Sequence, residues 1–154
     1  MRYALLPVAL SALCFGLAPA GVLADEVPAG AVLVKPGDVK WKPSTRVAGL
    51  ENADIVGDSS KAGDYVMRVR FPANFQVKPH THPENRSYTI ISGTWYIGWG
   101  DTNDPQKMIA LPPGSFYTEP SGVPHFVATR DEPVVVQITG VGPTATKPLG
   151  AEKR

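Results

Sequence analysis

The chain has 154 residues, a formal net charge of +1 and a charged fraction of 19%. This balance excludes the strongly basic surface that binding to nucleic acid or to an anionic membrane requires. Sixteen prolines and fifteen glycines interrupt the chain at short intervals, which excludes a mainly helical protein.

The first 24 residues have the layout of a secretory signal peptide. A positive start, Met1–Arg2, precedes the apolar run of residues 4–17, and small residues then offer cleavage points after Ala20 or Ala24. Cleavage after Ala24 is favoured because a polar chain begins at Asp25. The apolar run is too short for a spanning helix, and an uncleaved N-terminal anchor is the alternative. We therefore expect an exported protein, periplasmic or secreted, that leaves the membrane after cleavage.

Cleavage would leave residues 25–154, the size of a single domain. It would remove Arg2, so that basic and acidic residues balance, and it would also remove Cys14, the only cysteine. The mature chain would then have no thiol for a disulfide, a metal ligand or a nucleophile. Elbow motifs of serine hydrolases, phosphate loops and dinucleotide fingerprints do not occur in the sequence.

Strand patterns recur through the mature chain, separated by turn residues. The first alternates apolar and basic side chains, and the last is β-branched apart from Gln137, which predicts a buried strand whose one polar group needs a partner. Ser92-Gly93 predicts a hairpin turn, whereas the segments before Gly63 and after Gly140 are expected to be irregular. The predicted strands are 65–71, 87–91, 94–99, 108–111, 115–118, 125–129 and 134–138. Short strands at this spacing indicate an all-β sandwich or barrel.

The three histidines of the chain are placed as one metal site would need them. His80 and His82 are two residues apart, so on a strand they point to the same face. His125 follows on a later predicted strand. A third imidazole from a neighbouring strand would complete a facial set of nitrogen ligands.

These residues also resemble the two sequence motifs of the cupins, double-stranded β-helix (jelly-roll) proteins. The first cupin motif has a glycine, five residues, His-x-His, three or four residues, a glutamate, six residues and a glycine. His80, His82 and Gly93 match this spacing, and Asn74 stands at the position of the first glycine. The resemblance covers residues 65–140 and implies an antiparallel jelly-roll barrel.

The second cupin motif, Pro-x-Gly followed by a histidine, begins at Pro112-Pro113-Gly114. By strict count its histidine falls on Tyr117, and we align His125 with it across a longer loop of the kind that many cupins carry. The resemblance thus implies a metal site of His80, His82 and His125.

The chain departs from the cupin pattern at Arg86, which stands where the family has its glutamate ligand. A guanidinium has no free lone pair and cannot ligate a metal. The resemblance therefore points to three-histidine cupins, among which are iron-dependent dioxygenases. It implies one divalent metal ion, with iron as first choice and Zn, Mn, Ni or Cu as alternatives. Glu84 is either a displaced fourth ligand or a rim residue paired with Arg86.

We accordingly predict an exported metal-binding cupin, a dioxygenase or related enzyme for a small oxygenated organic molecule. The candidate catalytic residues are Arg86, which would bind a substrate anion beside the metal if it projects into the barrel, and Tyr96, one of several aromatics that would exclude water. An isomerase, lyase or hydrolase could use the same ligands. The alternative from another class is a non-catalytic periplasmic module that binds or senses a metal or small molecule. A homodimer is implied by the resemblance alone.

Overall fold

Short antiparallel strands dominate the protein in a computed structural model that describes residues 27–149. The predicted signal peptide, residues 1–24, lies outside the described residues. The chain divides into two units, Met1–Ala31 and Val32–Arg154, and the described part of the first is a turn closed by the Ala31 N–H donating to the Pro28 carbonyl. Among residues 27–149 no helix is long and apolar enough to cross a membrane.

The second unit contains eleven strands and two 3₁₀ turns, Pro36–Asp38 and Pro105–Lys107, in its described residues. The strands are β1 (Lys42–Pro43), β2 (Glu51–Val56), β3 (Gly63–Phe71), β4 (Gln76–Thr81), β5 (Arg86–Ser92), β6 (Trp95–Trp99), β7 (Ile109–Leu111), β8 (Phe116–Glu119), β9 (His125–Ala128), β10 (Val134–Gly142) and β11 (Lys147–Pro148). They form a six-stranded sheet in the order β1-β2-β3-β10-β5-β8 and a five-stranded sheet in the order β11-β4-β9-β6-β7. The predicted all-β, antiparallel jelly roll is confirmed.

The core is built from the inward faces of both sheets. Every second residue of β3 is buried, from Tyr65 to Phe71, and β10 opposes it with Val134, Val136 and Ile138 in register. Period-two burial is what a strand with one face in the core dictates. Each fully buried large apolar side chain contributes about 1.5–3 kcal/mol to stability.

Gln137 shows the other face of the same strand. It is half-buried, and its side-chain oxygen accepts a hydrogen bond from Arg68 Nε at 3.1 Å. The partner that the sequence requires thus lies on the neighbouring strand β3, and β10 is buried on one face only.

The predicted hairpin at Ser92-Gly93 is wrong. β5 pairs with β10 and β8, whereas β6 pairs with β9 and β7, so the chain crosses from one sheet to the other at this turn. Gly93 has φ +71°, and a Cβ there would lie 2.4 Å from the Pro133 carbonyl oxygen. The glycine is needed for a tight corner between sheets, which a local pattern does not distinguish from a hairpin turn.

The segments predicted to be irregular contain short strands. β2 lies before Gly63 and pairs with β3, and β10 continues past Gly140. β11 then pairs with β4, with Pro148 opposite His80. The C-terminal segment is thereby brought alongside the strand that carries the first histidine.

Candidate metal centre

The structure brings the three histidines together at one end of the barrel interior. His80 lies on β4, His82 follows directly after that strand, and His125 begins β9 opposite His80. All three are buried, with exposed fractions of 5%, 3% and 1% respectively. Their ring centroids are 4.3–5.0 Å apart. We refer to these three residues as the histidine cluster.

Backbone carbonyls fix the orientation of each imidazole. Nδ1 of His80 lies 2.8 Å from the Lys78 oxygen, and Nδ1 of His125 lies 3.0 Å from the Val123 oxygen. Nδ1 of His82 lies 2.7 Å from the Ala145 oxygen. A carbonyl only accepts, so each Nδ1 carries the proton and each Nε2 keeps its lone pair. This is the second-sphere arrangement that metal-binding histidines use.

Burial also keeps the imidazoles neutral. It lowers the pKa of His82 to about 2 and that of His125 to about 4, and the Arg86 charge adds to both effects. The pKa of His80 is lowered for the same first reason. Neutral imidazole is the form that binds a metal, so at neutral pH the cluster needs no proton loss to act as a ligand set.

The donor set fits a divalent transition metal. One ligand atom from each histidine lies within 4.8 Å of the other two. Nε2 of His82 and of His125 is buried without a hydrogen-bond partner. Buried polar atoms normally have partners, so two unpartnered nitrogens this close together form a site that could hold a metal ion.

Glu119, at the end of β8, is the site residue that sequence reasoning missed. Its side chain is 1% exposed, with Oε1 at 3.3 Å from Nε2 of His125 and Oε2 at 3.6 Å from Nε2 of His82. Tyr117 donates its hydroxyl proton to Oε1 at 3.0 Å, whereas Oε2 has no partner. Burial raises the pKa of this carboxyl to about 7, against the opposing effect of nearby hydroxyls and Arg86. An available signal was its position two residues after Tyr117, on the same face of the strand.

Arg86 projects into the barrel, and other groups of the protein accept the hydrogen bonds of its guanidinium. Nε donates to Glu84 at 2.7 Å and Nη1 donates to the Tyr88 hydroxyl at 3.3 Å. Nη2 donates to the Thr144 hydroxyl and, at 3.1 Å, to the Ala145 carbonyl. Glu84 therefore takes the second role foreseen for it, the partner of Arg86.

Tyr65 completes this group, because its hydroxyl donates to Glu84 at 3.1 Å. We call Arg86, Glu84, Tyr65 and Thr144 the arginine cluster. The Ala145 carbonyl joins it to the histidine cluster, since the same oxygen accepts from Arg86 and from Nδ1 of His82.

Tyr96 lies away from both clusters. It is half-buried on β6, and its ring packs under the guanidinium of Arg130, 4.1 Å from the ring centroid. Its neighbours Trp95 and Ile97 point the opposite way, into the core. The structure gives Tyr96 no contact with the histidines, so a catalytic role for it has no geometric support.

A cavity of about 70 Å³ adjoins the histidine cluster. Because a buried water needs about 10–15 Å³ by the same kind of measure, the space suits a small organic molecule or several waters. Histidines, Glu119 and Arg86 form its polar end, and Ser44, Arg46 and Asn52 contribute from the segment around β1 and β2. Much of the remaining wall is apolar and includes Leu50, Met67, Val69, Val77, Val127 and Ile138.

Known proteins match this chain in family and in fold. The family model of the ChrR cupin-like domain matches residues 29–145. Germin-like protein subfamily 1 member 1 of Arabidopsis thaliana is 30% identical over 101 residues, which are 64% of this chain and 46% of that protein. The chain thus spans less than half the length of that curated relative.

Solved structures share the fold at low sequence identity. The polyketide cyclase RemF of Streptomyces resistomycificus matches with a TM-score of 0.65 and 14% identity, over 79% of this chain and 87% of that one. The DMSP lyase DddQ of Ruegeria pomeroyi matches with a TM-score of 0.59 and 21% identity, over 77% and 64% respectively. The family model matches most of the chain, and the two sheets form the barrel that this family has. The chain therefore belongs to the cupins, as a member of the ChrR cupin-like domain family.

Proposed function

We propose that the histidine cluster holds one divalent metal ion and that the protein is a metal-dependent enzyme for a small oxygenated organic molecule. One observation carries the proposal: all three Nδ1 atoms are bound to backbone carbonyls, which leaves the Nε2 lone pairs free, and one ligand atom of each histidine lies within 4.8 Å of the other two. Packing alone gives no reason to aim unpartnered nitrogens at each other, because each costs free energy when no ligand satisfies it.

The cavity supports a substrate that is small and largely apolar. Its apolar side chains offer dispersion contacts, and its polar lining comes both from the metal site and from the segment around β1 and β2. When bound, the metal would supply a Lewis acid that polarises a substrate oxygen and acidifies a bound water. The protein's own part is to orient the imidazoles, to keep them neutral and to hold the substrate against them.

Arg86 has a different part from the one foreseen for it. Four protein groups already accept its hydrogen bonds, so we propose that it holds the C-terminal segment at Thr144 and Ala145 in preference to binding a substrate anion. The cation with free access to the cavity is then Arg46, which is exposed at the cavity lining.

We propose iron-dependent dioxygenation as the first reaction class, on the three-nitrogen set. A non-redox elimination, isomerisation or hydrolysis at the same ligands is the second. RemF is named a cyclase and DddQ a lyase, and such reactions need no oxygen, so the non-redox class is kept as the second candidate. Iron with oxygen uptake therefore separates the two classes.

The first test is metal analysis of the untagged protein. We expect about one metal ion per chain in the wild type and in Gln76→Ala, an exposed position on the same strand, and a loss of that metal in His80→Ala. A metal-free wild type, after incubation with Fe²⁺, Zn²⁺ and Mn²⁺ in turn, would overturn the proposal.

The second test is turnover by the metal-loaded protein with small diketones, thiols and hydroxy acids, followed with an oxygen electrode and repeated without oxygen. Oxygen-dependent product indicates the dioxygenase, and product in both conditions indicates the non-redox class. Stoichiometric metal without turnover in either condition would favour the non-catalytic binding or sensing module.

A further inference from the structure

The buried carboxylate of Glu119 reaches the histidine cluster from the opposite sheet. β8 pairs with β5 in the six-stranded sheet, with Glu119 opposite Arg86, whereas the histidines belong to β4, β9 and the residue after β4. The side chain therefore crosses the barrel interior. A charged side chain is almost never fully buried unless it is paired or coordinates a metal.

The contacts between Glu119 and the two nearest imidazoles are not ordinary hydrogen bonds. His82 and His125 carry their protons on Nδ1, so each Nε2 presents a lone pair to a carboxylate oxygen that also has only lone pairs to offer. The separations are nevertheless 3.6 and 3.3 Å. Oε2 and both Nε2 atoms have no other partner. Acceptor atoms held face to face in a dry interior need either a metal ion or a shared proton between them, and metal affinity distinguishes the two.

The distances agree with shared coordination. Two atoms bound to one tetrahedral metal at about 2.0–2.1 Å lie roughly 3.3–3.4 Å apart. Oε1 lies at this distance from Nε2 of His125, at 3.3 Å, and Oε2 lies slightly beyond it from Nε2 of His82, at 3.6 Å, so each carboxylate oxygen approaches one imidazole. The other buried carboxylate near the site, Glu84, is engaged through Oε1 by Arg86 and Tyr65.

We propose that Glu119 is a fourth protein ligand of the metal, so that the carboxylate comes from β8 and not from the position that Arg86 occupies. The inference rests on the proposed metal site and deepens it. A carboxylate lowers the charge of a divalent centre by one unit, so the site attracts an anionic substrate less than three histidines alone would. The mixed nitrogen and oxygen set also suits Mn as well as Fe and Zn. Tyr117, which donates to Oε1, is then a positioning residue for the ligand.

The test compares the metal affinity of the wild type with that of two matched variants, Glu119→Gln and Glu84→Gln. Each protein is first freed of metal and is then titrated with Co²⁺ or Zn²⁺ alone. We expect the Kd to rise at least tenfold in Glu119→Gln and the visible spectrum of the Co²⁺ form to change. Glu84→Gln should keep the wild-type spectrum and a Kd within about threefold. Far-UV circular dichroism of the apo variants checks that both are folded.

The outcomes separate this inference from the proposed function. If the wild type and Glu119→Gln bind Co²⁺ with equal Kd and the same spectrum, Glu119 is not a ligand, and the three-histidine site stands. If the wild type binds no metal, both proposals fail. Should Glu119→Gln not fold, Glu119→Asp retracts the carboxylate by one methylene, and an unchanged Kd in that variant would equally overturn the inference.

Discussion

The histidine cluster and the arginine cluster lie side by side in one barrel, and they differ in how their polar atoms are satisfied. In the arginine cluster, the guanidinium reaches four acceptors and Tyr65 donates to Glu84. One oxygen of this cluster, Oε2 of Glu84, has no hydrogen-bond partner. In the histidine cluster, Nε2 of His82 and Nε2 of His125 have no hydrogen-bond partner. The first lies 3.6 Å from Oε2 of Glu119, which also has no partner, and the second lies 3.3 Å from Oε1, which accepts from Tyr117.

This difference indicates which buried polar group serves the fold and which serves a ligand. A network whose donors and acceptors match stabilises one arrangement of the chain, because removing a member leaves the others unsatisfied. A group of converging lone pairs costs stability until a cation binds. The two clusters should therefore respond in opposite ways to mutation and to metal.

The largest expected effect is a loss of stability when the arginine cluster is broken by mutation. Arg86→Met leaves Glu84 buried without its counter-charge, with side-chain exposures of 5% and 9% in the wild type. Breaking a buried pair in this way costs about 3–5 kcal/mol of the free energy of unfolding. Urea denaturation of the metal-free proteins measures it.

Arg70→Met is the control for that measurement. Its ion pair with Glu51 is 41% exposed on both sides and is worth about 1 kcal/mol or less. A loss in Arg86→Met no larger than in Arg70→Met would show that the arginine cluster is not structural.

A smaller effect on the free energy of unfolding is expected when a metal ion binds to the histidine cluster. Zn²⁺ at about 100 times its Kd should raise the free energy of unfolding of the wild type by about 2.7 kcal/mol. His125→Ala should gain nothing under the same conditions, because it removes a ligand whose Nε2 is otherwise unpartnered. Each variant is compared with itself plus chelator, so that the packing cost of the substitution cancels.

Gln137→Ala serves as the matched control, since its side chain pairs with Arg68 on the face of β10 that looks away from the core. It should keep the full gain of the wild type. Equal gains in Gln137→Ala and His125→Ala would place the metal somewhere other than the histidine cluster.

The sequence was sufficient for the parts of the site that depend on strand periodicity. His80 and His82 share a face because side chains alternate. The same alternation buries Arg86 together with Tyr88 and Ile90, but the sequence alone left open whether Arg86 points into the barrel. The corner at Gly93 was mistaken for a hairpin because a positive φ serves both kinds of turn.

Other features depend on contacts between distant parts of the chain, which a local pattern does not contain. Glu119 enters the site only because β8 pairs with β5 in a register that sets it opposite Arg86. The partners of Arg86 in the C-terminal segment, Thr144 and Ala145, are 58 and 59 residues away in sequence. That segment was expected to be irregular, and its role appears only once β11 pairs with β4.

The finest comparison uses one pair of tyrosines, each of which donates to a buried carboxylate. Tyr65 donates to Glu84 at 3.1 Å, and Tyr117 donates to Glu119 at 3.0 Å. Tyr65→Phe and Tyr117→Phe each remove one hydrogen bond to a charged group, which should lower the free energy of unfolding of the apo protein by about 1–3 kcal/mol. Tyr117→Phe should cost more than Tyr65→Phe, because the Tyr117 hydroxyl also accepts from Nε1 of the buried Trp95 at 2.9 Å.

The two variants should separate when metal is added. Tyr65→Phe should keep a wild-type Kd for Zn²⁺, because Glu84 belongs to the arginine cluster. Tyr117→Phe should raise that Kd about 10- to 100-fold, the usual cost of losing a residue that orients a ligand. Titration of both with Zn²⁺ against a competing chelator measures the difference. A larger rise in Tyr65→Phe would reverse the roles of the two carboxylates, because the ligand would then be Glu84.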